Sequence, residues 1–191
     1  MRLTPELLEW CYRSGAFPMA DPYGRIELYR SDPRAVLELD ALHVPKSLSR
    51  VLRTGKYEVR VNEDFEGVIQ GCARREETWI NGEIVRAFIS LHRSGKAHSV
   101  EAYDGDGNLA GGLYGVALGG AFMGESMFTR GRDASKVCFV HLVERLRERG
   151  YELLDCQIQN SHLERFGVTE IAEREYLKRL EKALRLDRSF A

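Results

Sequence analysis

The sequence predicts a mixed α/β (α+β) protein, a sheet with flanking helices preceded by a small N-terminal segment. Two observations lead there. Leu109–Leu118 and Ala121–Phe128 are extended runs joined by Gly119-Gly120, a two-residue hairpin signal. A helical run from Ala134 to Arg149, stopped by Gly150, is then followed by another extended run, Tyr151–Ile158. An antiparallel meander, a crossover helix and a further strand make a mixed sheet with the crossover packed on one face.

The remaining elements follow in order. Thr4 as N-cap, Pro5 at the first helical position and a stop at Gly15 outline a first helix. The stretch FPMADPYGRIELYRSDPRAV is dense in Pro, Gly and Asp and reads mostly as loop with short extended pieces. Pro45-Lys46 opens a second helix ending near Gly55, and Tyr57–Val61 alternates as a strand. Helical runs over 64–74 and 83–93 precede a short strand at 99–103 and a turn cluster at 104–108. Two short helical runs close the chain. The expected division is residues 1–33 as a helix-loop segment and 34–191 as the catalytic domain.

Composition narrows the function classes. With 28 basic against 29 acidic residues, the net charge of -1 supplies no global field for a polyanion, so a nucleic-acid role must rest on a local patch. Cys11, Cys72, Cys138 and Cys156 lie far apart with no C-x-x-C pair, as expected of free thiols in a reducing compartment. The N-terminal run reads as a helix start rather than a targeting signal, and no stretch approaches the roughly 20 apolar residues of a membrane span. The expectation is a cytoplasmic, monomeric protein with no membrane partner.

Three stretches carry polar groups in places that ask for a reason. In LLDCQIQN, strand alternation puts Asp155, Gln157 and Gln159 on one side and Leu154, Cys156 and Ile158 on the other. This is either an edge strand with one wetted face or a strand presenting chemistry. In GESMFTR, Glu125 falls mid-strand, where an unpaired buried carboxylate is costly, so it is solvated or partnered. The GRDASK that follows is a poor phosphate loop, with one glycine and an opposing Asp133. Lys46, Arg50 and Arg53 share a face of the second helix, as a solvated face or as a phosphate-tracking patch. Cys138 and His141 share a helix face at i, i+3, a spacing met more often in a buried thiol beside a surface imidazole than in half of a metal site.

Taken together, FPMA, SDPRAV, the tract from Tyr57 through GCA to TWI, GGLYGVALGGAFMGESMFTRGRDASK and LLDCQIQNSHLERFG resemble the leucyl/phenylalanyl-tRNA-protein transferases over about Tyr12–Leu177. The resemblance implies an acetyltransferase-like domain after a small N-terminal segment. It also implies transfer of leucine or phenylalanine from the 3′ end of an aminoacyl-tRNA to the N-terminal amine of a protein beginning with Arg or Lys, which marks that protein for degradation. The alternatives are leucyl transfer to N-terminal Asp or Glu, and CoA-dependent N-acetylation. Neither CoA nor a metal is expected.

By the same resemblance Asp155 orients or deprotonates the acceptor amine, Gln157 hydrogen-bonds the reacting groups, and Glu125 meets the acceptor's amine or basic side chain. Leu113, Phe122, Met127, Leu142 and Leu154 line the aminoacyl side-chain pocket, Trp79 and Phe88 lie near the aminoacyl-adenosine, and Lys46, Arg50 and Arg53 bind tRNA. Met19 stands where the family commonly has an aromatic residue against the terminal adenine. Phe122 and Met127 have opposite strand parity, so a shared pocket requires a bulge near Gly124.

Overall fold

The computed structural model describes residues 3–74 and 78–191, so part of the tract from GCA to TWI lies outside the described residues. In chain order the elements are α1 (Pro5–Arg13), β1 (Phe17–Ala20), β2 (Ile26–Tyr29), β3 (Arg34–Leu37), α2 (Lys46–Arg53), β4 (Glu58–Val61), α3 (Phe65–Ala73) and α4 (Gly82–Arg93). They continue with β5 (Ala97–Tyr103), β6 (Leu109–Leu118), β7 (Ala121–Thr129), α5 (Ala134–Glu148), β8 (Leu153–Gln157), α6 (Ser161–Glu164), β9 (Thr169–Ile171) and α7 (Glu173–Leu184). Helix starts follow their caps: Thr4 accepts from the Leu7 N–H, Asp64 from Gly67, and Asn81 from Glu83 and Ile84.

Seven strands form one sheet in the order β4-β5-β6-β7-β8-β3-β9, and β1 pairs with β2 in a separate ribbon. Every pairing in the large sheet is antiparallel except β7 with β8, the pair that the crossover helix α5 makes parallel. Apolar side chains of the two sheet faces build two cores. One, with Phe65, Phe88, Tyr114, Met123 and Tyr176, lies beneath α1, α3, α4 and α7. The other, with Phe122, Phe139, Leu142, Leu154 and Phe166, lies beneath α5. The N-terminal segment joins the first core, since Leu8, Tyr12 and Phe17 are buried in it and Tyr12 meets Phe88 edge-on at 6.3 Å.

Three expectations are corrected. The stretch expected to be mostly loop holds three strands of 4 residues each. Of these, β3 inserts between β8 and β9, so the LLDCQIQN strand is interior and the wetted-edge reading falls. The two closing helical runs are present as a one-turn α6 and a 12-residue α7, but an unexpected short strand, β9, lies between them.

Candidate active site

The site originates in a parallel pair that stays together only briefly. β7 and β8 are paired from Ala121↔Leu153 to Met123↔Asp155 and no further. On its other edge β7 pairs Gly124 with Gly115 and then Ser126 with Tyr114, so Glu125 is the extra residue of a β-bulge. The bulge lies beside Gly124, where the parity of Phe122 and Met127 required one. Gly115 accommodates it: a Cβ there would stand 2.4 Å from the Met123 carbonyl oxygen. β8 ends at Gln157, whose φ of 61° turns the chain out of the sheet. A cavity of about 740 Å³ occupies the resulting gap. Leu113, Met127, Phe139, Leu142 and Leu154 line it from the α5 core, and Phe17, Met19 and Trp79 line it from the other.

A carboxyl and an amide bridge this gap. Gln157 Nε2 donates to Glu125 Oε1 at 2.5 Å, while Glu125 Oε2 is sealed from solvent. Glu125 lines the cavity, and burial of its carboxyl group pushes its pKa up to about 8. The facing Tyr12 hydroxyl and Gln157 amide pull it down, Asp155 pushes it up and Arg34 pulls it down. Gln157 is itself held at three points: its N–H donates to Asp155 Oδ1 at 2.8 Å, its carbonyl accepts from Ser31 Oγ at 2.8 Å, and its amide reaches Glu125.

Asp155 stands behind this pair. Its side chain is 0% exposed and absent from the cavity wall. Arg34 forks onto it, Nε to Oδ1 at 2.9 Å and Nη2 to Oδ2 at 2.7 Å, and the Tyr176 hydroxyl donates to Oδ2 at 2.8 Å. With the Gln157 N–H, four donors occupy the two oxygens. The structure thus places Asp155 behind the cavity wall, fully hydrogen-bonded, with Gln157 between it and the cavity. The expected shared face of Asp155 and Gln157 also fails, because the positive φ of Gln157 ends regular alternation.

The other expected residues divide. Met19, Trp79, Leu113, Glu125, Met127, Leu142, Leu154 and Gln157 all line the one cavity. Phe122 does not, because it is buried and stacks on Phe190 at 5.1 Å. Phe88 does not either, being fully buried between Tyr12 and Tyr114. Lys46, Arg50 and Arg53 are exposed on α2, away from the cavity wall. Cys138 is buried and His141 faces Glu144 on the surface, and among the described residues no cluster of His, Cys, Asp and Glu is placed to hold a metal. Sequence reasoning passed over Arg34, Tyr12, Tyr176 and Phe139. Only Arg34 carried a signal, as a lone cation opening the apolar run RAVL.

The class is thus a mixed α+β fold: a seven-stranded sheet flanked by helices, splayed at its parallel pair around an apolar cavity that a carboxyl and an amide bridge. The chain belongs to the leucyl/phenylalanyl-tRNA protein transferase family, whose model matches residues 36–181, while a model of that protein's N-terminal domain matches residues 1–32. The leucyl/phenylalanyl-tRNA–protein transferase of Rubrobacter xylanophilus is 74% identical over 100% of both chains. That of Gloeobacter violaceus is 57% identical over 98% of this chain and 97% of its own. A solved structure of L-PGS from Bacillus licheniformis aligns with a TM-score of 0.45 and 13% identity, covering 82% of this chain and 51% of that one.

Proposed function

We propose how this site carries out the reaction of its family. The protein is an aminoacyltransferase: it takes leucine or phenylalanine from aminoacyl-tRNA and joins it to the N-terminal Arg or Lys of an acceptor protein. The donor side chain lies in the pocket of Leu113, Met127, Leu142 and Leu154, extended by Phe139, and the terminal adenosine lies toward Met19 and Trp79. The exposed face of Lys46, Arg50 and Arg53 meets the tRNA body.

The observation that carries the chemical reading is the Glu125–Gln157 bridge at the mouth of the splayed strands. The amine nitrogen attacks the ester carbonyl. A C–N bond forms as the bond to the ribose oxygen breaks, so the amine must lose a proton and the ribose oxygen must gain one. An α-amino group has a pKa of roughly 8, and Glu125 titrates at about 8. A carboxyl raised toward neutral pH is a stronger base than an ordinary one, as general-base catalysis near neutral pH requires. Ionised Glu125 takes the amine's proton and, once protonated, is the donor for the departing oxygen. Gln157 orients the reacting groups, and Asp155 is a positioning residue that fixes Gln157 through its backbone N–H.

The donor carbonyl arrives already activated as an ester, so neither CoA nor a metal enters this scheme. The loop before α5 supports the omission of CoA. Tyr57 donates to the Arg132 carbonyl at 2.8 Å, and Asp133 at the helix N-terminus pairs with Lys136 at 2.6 Å. The requirement for charged tRNA supports a cytoplasmic place of action, and in this reading the products enter N-terminus-dependent degradation. The test is to mix the protein with leucyl-tRNA and a peptide beginning with Arg and to weigh the peptide. Addition of one leucine at the N-terminus is the expected result. No product on Arg or Lys peptides overturns the reading, and product on Asp or Glu peptides alone reassigns the acceptor.

A further inference from the structure

Besides Glu125, the cavity wall carries two arginines, Arg74 just after α3 and Arg130 just after β7. Both are exposed, and among the described residues neither forms an ion pair with a carboxylate, although acidic residues outnumber basic ones in the chain. Arg130 is nonetheless held in place. Its Nη1 donates to the Leu109 carbonyl at 3.2 Å, and its guanidinium lies 5.1 Å from the Phe128 ring centroid. The same ring packs against Gly71, where an added Cβ would stand 2.8 Å from it, and Gly71 is one helical turn before Arg74. Phe128 thus lies against both the Arg130 guanidinium and the turn of α3 that leads to Arg74, on a cavity wall that also carries Trp79.

Two cations with no carboxylate partner among the described residues, beside aromatic surface, suit a ligand that brings its own negative charges and its own rings. A guanidinium offers a planar fork of donors that matches phosphate oxygens. Given the transferase reading, on which this inference rests, we propose that Arg74 and Arg130 bind the phosphodiesters joining the last nucleotides of the donor tRNA. The patch on α2 lies off the cavity wall and serves the tRNA body instead. The two sets then divide the donor between them, the arginines gripping the single-stranded end and α2 the remainder.

The test compares three donors at one Arg-initiated peptide: leucyl-tRNA, a leucylated CCA trinucleotide, and leucyl-adenosine, which lacks internucleotide phosphates. Arg74→Ala and Arg130→Ala each raise KM for the first two by about tenfold or more, leave kcat within about threefold, and leave leucyl-adenosine unchanged. Each also flattens the salt dependence of KM by about 0.7 in log–log slope, the value for one single-strand phosphate. Lysine at either position restores part of the loss. An equal loss with leucyl-adenosine, a loss confined to full tRNA, or no loss with any donor overturns the proposal. Wild-type protein inactive with all three donors would instead overturn the transferase reading itself.

Discussion

Arg34 and Asp155, 121 residues apart in the chain, meet as a two-point ion pair with side chains 1% and 0% exposed. The arginine is sandwiched between the Phe17 and Tyr176 rings at 4.9 and 4.4 Å, and its Nη1 donates to the Gly15 carbonyl at 3.0 Å. One side chain therefore ties α1's end, β3, α7 and the end of β8 together. Removing either partner leaves an uncompensated buried charge, so Arg34→Ala and Asp155→Ala each destabilise by about 3–5 kcal/mol in urea unfolding. Arg34→Lys keeps the charge but loses the fork, and it falls between wild type and Arg34→Ala.

Glu125 gives the pH dependence. Its folded pKa of about 8 lies above the ordinary 4.5. Between those values the folded state therefore binds more protons than the unfolded state, and stability falls as pH rises. Its contribution is fully present below about 4.5 and lost as pH rises through about 8. Glu125→Gln has no such loss. Its stability relative to wild type rises across this window by on the order of 5 kcal/mol, then levels off. Denaturant midpoints from pH 5 to 9 check this; a constant difference contradicts a raised pKa at this carboxyl.

In the proposed reading Met127 sets donor fit. It is half-buried on the cavity wall, so truncation removes pocket surface without emptying a core position. Met127→Ala lowers kcat/KM for leucyl-tRNA by about 10–200-fold, the value of roughly 1–3 kcal/mol of apolar contact. KM for the acceptor peptide stays unchanged. A matched loss on the acceptor side would place Met127 at the wrong substrate.

These relationships were unequally legible in the sequence. The β6–β7 hairpin and the caps of α1 and α3 depend on neighbours, and local pattern displays them. The bulge was legible too, because a pocket shared by Phe122 and Met127 conflicts with strict alternation; the bulge is present, although Phe122 turns to Phe190 rather than to the cavity. What local pattern hides is partnership across the chain. The four residues of β3 begin right after Asp32-Pro33, and their strand partners lie more than a hundred residues away. Without β3, Asp155 looks like a group at a wet edge; with it, Arg34 reaches the carboxylate first. The turn at Gln157 is equally silent, since a positive φ at glutamine has no compositional signature.

Gly115 opposite the bulge offers a check on that geometry. A methyl group there would stand 2.4 Å from the Met123 carbonyl oxygen and 2.5 Å from the buried Phe122 ring. Gly115→Ala therefore costs about 1–3 kcal/mol in overpacking and shifts the bulge that carries Glu125, so donor binding weakens even where the fold survives. Calorimetry with leucyl-adenosine separates the two effects.

The central claim is that chemistry occurs at the Glu125–Gln157 bridge, with Asp155 behind it. Single-turnover transfer of leucine to an Arg-initiated peptide at saturating leucyl-tRNA tests it most directly. Glu125→Gln and Gln157→Ala should each slow transfer by about 10²–10⁴-fold while donor affinity stays within about threefold of wild type. Transfer by both variants at wild-type rates would contradict the account.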